Sequence, residues 1–186
     1  MRRLWKLTLG LSAIALLAGC ASAPKPRLAT PDQVNLKRYM GTWHVIAHIP
    51  NIFERGKLAT ADEYHLRKDG RIGVTFHYRS SFQDAPKTWH GTAWLIRNDD
   101  AARWKVQLLW PFTSDYVIMA LDADYRYVMV GLPSRKLLWL MARDTQMPEA
   151  VYQRYVEQAR AEGFPVDKLK RVPQHPDQVG QPGFEQ

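Results

Sequence analysis

Cysteine is nearly absent: Cys20 is the single one in 186 residues. One cysteine cannot pair within its own chain, so a disulfide framework is excluded. No HExxH, GxxxxGK, GxSxG elbow or CxxC occurs, which removes the common signatures of zinc proteases, phosphate loops, serine hydrolases and dithiol chemistry. The 26 basic residues outnumber the 18 acidic ones, but they are scattered. The longest basic stretch is Lys168–Arg171, which reads as a solvated surface, and no basic stripe suggests nucleic acid as a partner. There is no internal repeat. Disorder is excluded by what is present, since seven Trp, eight Tyr and six Phe can bury large areas.

Residues 1–19 follow the plan of an export signal. Arg2, Arg3 and Lys6 form a positive start, and Leu7–Gly19 form an apolar run shorter than the ~20 residues of a membrane-spanning helix. The run closes on Leu17-Ala18-Gly19-Cys20, which resembles the bacterial lipobox. That resemblance implies cleavage before Cys20 and lipidation of its sulfur. Three basic residues leave with the signal, so the mature charge is +5 rather than +8. Residues 20–33, rich in proline, read as a tether between lipid and domain.

Beyond the tether, short apolar segments recur at even spacing. Strands are expected at Trp43–Ile49, Thr60–Leu66, Arg71–Tyr78, Thr88–Arg97, Arg103–Leu109, Asp115–Leu121, Tyr125–Gly131 and Leu137–Ala142. Most links are too short for parallel crossovers, so the sheet is antiparallel and up-and-down. Eight such strands either close into a barrel or split into a sandwich. Alternation is clearest in Arg71–Arg79, where Ile72, Val74, Phe76 and Tyr78 share one face, and in Trp104, Val106 and Leu108. Thr88–Arg97 and Asp115–Leu121 do not alternate, and their facing stays open. One helix follows, with Pro148 at its start and Gly163 past its end. Val151, Tyr155, Val156 and Ala159 give it an apolar stripe for the outside of a closed sheet. Leu169 and Val172 suggest a short ninth strand, and residues 173–186 read as a loose tail.

Four segments carry a family resemblance. Tyr39–Ala47 (YMGTWHVIA) resembles the first lipocalin motif, a Gly-x-Trp that opens the first strand. Asn51–Gly56 matches the loop that follows it in bacterial lipocalins and apolipoprotein D. Thr113–Tyr116 resembles the second motif and Leu138–Arg143 the third. The order and spacing are those of the bacterial lipocalin lipoproteins, over about Val34–Val172. The resemblance implies an all-β, eight-stranded up-and-down barrel at 34–172 with one helix outside. It implies structural roles for Gly41, Trp43, Asp115 and Arg143, the arginine lying over the Trp43 indole that plugs the closed end.

The resemblance also implies an open calyx for a fatty acid or lysophospholipid, held at the outer membrane through Cys20, with no cofactor and no catalysis. Candidate ligand contacts are Trp139, Tyr64, Phe76, Val74, Tyr78, Val106, Leu108, Tyr116 and Leu137. Asp62 departs from the small apolar residue usual in the bacterial group. It either brings a carboxylate to the mouth, where it would repel a fatty-acid carboxylate, or stands solvated at the rim. Residues 50–59 form either a flap over the opening or a loop whose Phe53 packs on the rim. Among the histidines, His44 and His48 share a face but stand ~13 Å apart, too far for one metal. His44 and His65 could meet across neighbouring strands. The prostaglandin-synthase type of lipocalin needs a calyx cysteine, and here the only cysteine serves the anchor. Two other readings remain: a binder of a non-lipid ring compound, and an interaction lipoprotein with a filled barrel.

Overall fold

Why the strands near the C-terminus resist a simple facing assignment is explained by what lies on their two sides. The computed structural model describes residues 26–185; the export signal, Cys20 and the first residues of the tether lie outside them. The elements are α1 (Leu36–Tyr39), β1 (Gly41–His48), β2 (Leu58–Leu66), β3 (Ile72–Arg79), β4 (Lys87–Leu95), β5 (Arg103–Leu109), β6 (Phe112–Leu121), β7 (Tyr127–Gly131), β8 (Leu138–Ala142), α2 (Glu149–Ala161) and β9 (Lys170–Arg171). Strands β2 to β8 pair in sequence order, and β1 bonds both β8 and β2, so the sheet closes into a barrel, with β1 and β2 joined over Gly41–His44 and β9 added to β1 beyond. All eight expected strands are present, with ends shifted by a few residues.

Two apolar cores result. The inner one joins Tyr39, Trp43, Val45, Tyr64, Ile72, Val74, Trp104, Tyr116, Ile118 and Met141. The outer one joins Ile46, Ala47, Val117, Met119, Leu138, Leu140 and Ala142 to Tyr152, Tyr155, Val156 and Ala159 of α2. Strands β3 and β5 turn one face to water and alternate. Strands β6 and β8 are covered on both faces, so consecutive residues are apolar and the period of two vanishes. Strand β4 is obscure for another reason: its inward row pairs Trp89 with the small residues Gly91 and Ala93.

Bulges add a second source of ambiguity. The register of β1 against β8 shifts between Val45 and Ala47, so Ile46 and Ala47 both join the outer core and the parity of His48 inverts. His44 and His48 therefore do not share a face. Nor do His44 and His65 meet, because Ala61 stands opposite His44. His65 lies instead over Gly73, where an added Cβ would come within 2.1 Å of the imidazole.

The tail expected to be loose is docked, and so is the described end of the tether. Leu28 is buried in the outer core, and its carbonyl accepts a bond from Arg103. Past Pro173, the Gln174 amide enters the gap where β1 and β2 part and donates to Val45 O and Thr60 O. Phe184 bridges to Arg171, and Glu185 is buried against His48. The sheet, α2 and both cores all fall within residues 26–185. Pro and Gln suggested looseness, but here they supply turns and amide donors to an otherwise unpaired strand edge.

The closed end is built around Trp43, which is fully buried. Gly41 precedes it at φ +93°, and a Cβ there would press on Arg143 Nη1 at 3.3 Å. The Arg143 guanidinium lies 3.8 Å from the indole centroid, a stacking worth roughly 0.5–2 kcal/mol. Its N–H groups donate to Thr42 O at 2.9 Å, Arg38 O at 2.8 Å, Tyr39 O at 3.0 Å and Tyr125 O at 3.2 Å. Trp43→Ala is expected to destabilise the fold by about 3–5 kcal/mol through the cavity it leaves. Arg143→Lys keeps the charge but loses the fork, at about 1–3 kcal/mol. Urea denaturation of both variants checks this; a lysine variant as stable as wild type would mean the fork contributes nothing.

Candidate functional site

Above the indole floor the barrel is hollow. A cavity of about 480 Å³ opens at the end formed by the β1–β2, β5–β6 and β7–β8 connections. This volume contradicts the filled-barrel reading. Val74, Phe76, Val106, Leu108, Leu109, Trp89, Leu137 and Trp139 form its apolar wall. Of the nine candidate contacts, Trp139, Tyr64, Phe76, Val74, Val106, Leu108, Tyr116 and Leu137 all line it. Tyr78 does not. Parity put it on the right face, but at the mouth end its ring stacks on Phe76 at 5.7 Å and abuts Trp89 at 5.0 Å, beneath the Lys57 ammonium. Trp89 takes the wall position instead, and the broken alternation of its strand concealed it.

The floor is polar. Tyr39 and Tyr116 hydroxyls lie 2.6 Å apart, Tyr116 and Tyr64 3.0 Å, and the Tyr64 hydroxyl reaches Asp62 Oδ2 at 3.1 Å. Each hydroxyl carries one proton, so a chain running Tyr39 to Tyr116 to Tyr64 to Asp62 satisfies every donor and ends on an acceptor. Burial raises all three phenols well above their ordinary value, which keeps them protonated. Asp62 is not a rim residue. It pairs across the sheet with Trp43 and Phe76, deep in the barrel, because β1 and β2 diverge only above it. Burial, reinforced by the charge of Glu54 and partly offset by the Tyr64 bond, pushes its carboxyl up to about 7.

The β1–β2 connection bends over the opening and is tied down at one residue. Glu54 Oε2 accepts from Trp139 Nε1 at 2.9 Å and from His48 Nδ1 at 3.0 Å. His48 Nε2 reaches Glu185 at 2.7 Å. Burial opposes a charge on this ring, but the two carboxylates outweigh it and raise His48 to about 9. Burial likewise opposes the charge of Glu54, yet the His48 and Trp139 bonds bring it below the usual carboxylate range. The bulge in β1 is what aims His48 at this pair; the sequence marked His48 only as a metal candidate and Glu54 only as part of the Asn51–Gly56 match, and did not bring them together, because Glu185 and Trp139 come from distant segments.

Around the mouth, large apolar side chains face water. Trp110 is 85% and Ile52 83% exposed, with Phe112 and Phe53 also exposed and their rings 6.4 Å apart. These sit on the β5–β6 and β1–β2 connections. Asp115, expected as a motif residue, lines the cavity and pairs with Lys105 at 2.7 Å. Among the described residues no group of three or more His, Cys, Asp or Glu is placed to hold a metal ion.

A family model for the lipocalin-like domain matches residues 34–174. The chain is a lipocalin. It is 33% identical over 173 residues to the outer membrane lipoprotein Blc of Escherichia coli K12, covering 92% of this chain and 98% of that one. The Blc lipoprotein of Citrobacter freundii is 32% identical over the same coverage. Among solved structures, insecticyanin of the tobacco hornworm Manduca sexta superposes with a TM-score of 0.63 at 13% identity, over 82% of this chain and 87% of that chain, a likeness of fold alone. Being a lipocalin with outer-membrane lipoproteins as relatives, this chain is a lipid-anchored protein of the outer membrane.

The His48 cluster makes the stability of this lipocalin depend on pH with a definite sign. A ring whose folded value is raised from 6.5 to about 9 stabilises the fold fully below pH 6.5, and that contribution is lost as pH rises through 9. Glu54, depressed in the fold, contributes above its ordinary value of 4.5 and loses that contribution as pH falls below it. Thermal melts should therefore show Tm falling between pH 7 and pH 10, with the fall largely removed in His48→Gln. An unchanged alkaline slope in that variant would place the titration elsewhere.

Proposed function

We propose that this lipocalin carries single-chain membrane lipid, a fatty acid or lysophospholipid, for storage, transport or repair at the outer membrane. It acts by binding, without catalysis. The observation that supports this most directly is the hollow itself: a cavity of about 480 Å³ with an apolar wall, open at one end. An acyl chain entering it is removed from water at roughly 0.8 kcal/mol per methylene. Anchorage through Cys20 keeps the protein beside its source of ligand. The exposed Trp110, Phe112, Ile52 and Phe53 ring the opening through which a chain passes between bilayer and barrel.

Within this reading, Trp139 has two tasks. Its ring forms wall, and its Nε1 holds Glu54 and with it the connection over the mouth. His77, by contrast, pairs with Glu63 on the outer face and touches no part of the cavity. Residues 21–186, which keep the whole described fold, should show by native mass spectrometry an added mass of a few hundred daltons that organic extraction removes as acyl lipid. Trp139→Ala should weaken binding of a lysophospholipid at least tenfold, and His77→Ala by less than twofold. Equal effects, or a protein that acquires no acyl ligand, would overturn the proposal.

A further inference from the structure

The ionisable groups that line the calyx fall into two sets: Glu54, Arg55 and Asp115 toward the mouth, and Asp62 with the Tyr64 and Tyr116 hydroxyls at the floor. Asp62 sits below the apolar wall, opposite Trp43. One of its oxygens accepts the Tyr64 hydroxyl; among the described residues no cation pairs with it. Of the basic side chains only Arg55 lines the cavity, and it is exposed on the connection over the mouth. The other two acids of the lining are already matched, Glu54 by His48 and Trp139 and Asp115 by Lys105. The hydroxyl chain runs toward Asp62, each O–H donating onward, so it favours the ionised carboxyl and offers no free donor to an incoming anion.

We propose that the calyx prefers amphiphiles whose polar group is cationic, a protonated amine or an ammonium, and seats that group against Asp62 at the floor with the hydrocarbon along the wall above. This rests on the carrier reading and narrows its ligand class. A half-buried carboxylate facing an apolar-walled cavity without a cation is disfavoured, and an ammonium that accompanies the ligand relieves this. An anionic head brought to the same place meets like charge and finds no partner. The rise of the Asp62 carboxyl toward neutrality is the same unmet charge seen from the protein's side. Free fatty-acid anions are accordingly the poorest of the single-chain lipids for this cavity. The ammonium can belong to a simple alkylamine or to the ethanolamine head of a lysophospholipid, and the two sources are separated by experiment.

The test is calorimetric titration of residues 21–186 at pH 8, below each probe's micellar concentration, with dodecylammonium, dodecanesulfonate and neutral dodecanol. Wild type should bind dodecylammonium at least tenfold more tightly than dodecanesulfonate. In Asp62→Asn, which retains the shape and an acceptor for Tyr64, the ratio should fall to within about threefold. Lysophosphatidylethanolamine bound better than lysophosphatidylglycerol assigns the ammonium to a lipid head; preference for the alkylamine alone assigns it to free amines. Wild type binding both charged probes equally, or a preference that survives in Asp62→Asn, overturns the inference. Binding of dodecanol in either case leaves the carrier function standing, whereas failure of all three probes removes both.

Discussion

The guanidinium of Arg143 lying on the indole of Trp43 fixes where the barrel ends and where its cavity begins. Four carbonyls, from α1, the first strand and the β6–β7 turn, converge on that one fork. Backbone bonds link the end of β8 to His44 of β1 and to Arg126 of the β6–β7 turn but not to α1, so the fork adds what strand pairing does not: it draws α1 across the base. With the base closed by two large planar groups, the aromatic cluster of Tyr39, Tyr64, Trp104 and Tyr116 stacks directly above. Everything higher is free to remain open. A smaller or uncharged pair would leave carbonyls unpaired in a dry site, which is expensive.

How far the sequence discloses this differs by element. Strands β3 and β5 are legible because water wets one face, and the period of two appears at once in Ile72, Val74 and Phe76. Strands β6 and β8 exist plainly as apolar runs, yet their facing is not written locally, since α2 covers the side that water would otherwise mark. The bulge at Ile46 leaves no trace in composition. It inverts His48 all the same, and so it creates the buried ionic cluster of His48, Glu54 and Glu185 at the mouth. Parity gives a face but not a height: Tyr78 and Asp62 were both assigned the inward side, and both were misplaced along the barrel axis. The docked tail is the least legible part, because its partner His48 lies 137 residues away from Glu185 and nothing in a Pro- and Gln-rich segment announces such a contact.

Two of the carboxyls that line the calyx, Glu54 and Asp62, occupy opposite regimes. Glu54 is ionised because a charged imidazole and an indole N–H meet it; its ordering therefore organises the connection over the mouth. Asp62 has only a phenol, itself the last member of a chain of phenols, and it bears the field of Glu54 besides. The same residue type thus serves as an anchor at the rim and as an unmatched acceptor at the floor. The difference comes from what the fold places beside each carboxyl, and not from burial alone.

Keeping a protein hollow has a cost that must be met elsewhere in the structure. At roughly 24 cal/mol per Å³, a dry void of the size found here would cost on the order of 10 kcal/mol, comparable with the whole stability of an ordinary domain. Two features lower that cost. The floor carries the Asp62 carboxyl and the Tyr64 and Tyr116 hydroxyls, so water can occupy the lower part with hydrogen-bonding partners. The second core, between α2 and strands β6, β8 and β1, contains no part of the cavity, and its burial is independent of whether the cavity is filled. The fold is thereby held from outside the barrel, and the interior is left available for a ligand whose chemistry the wall and floor select.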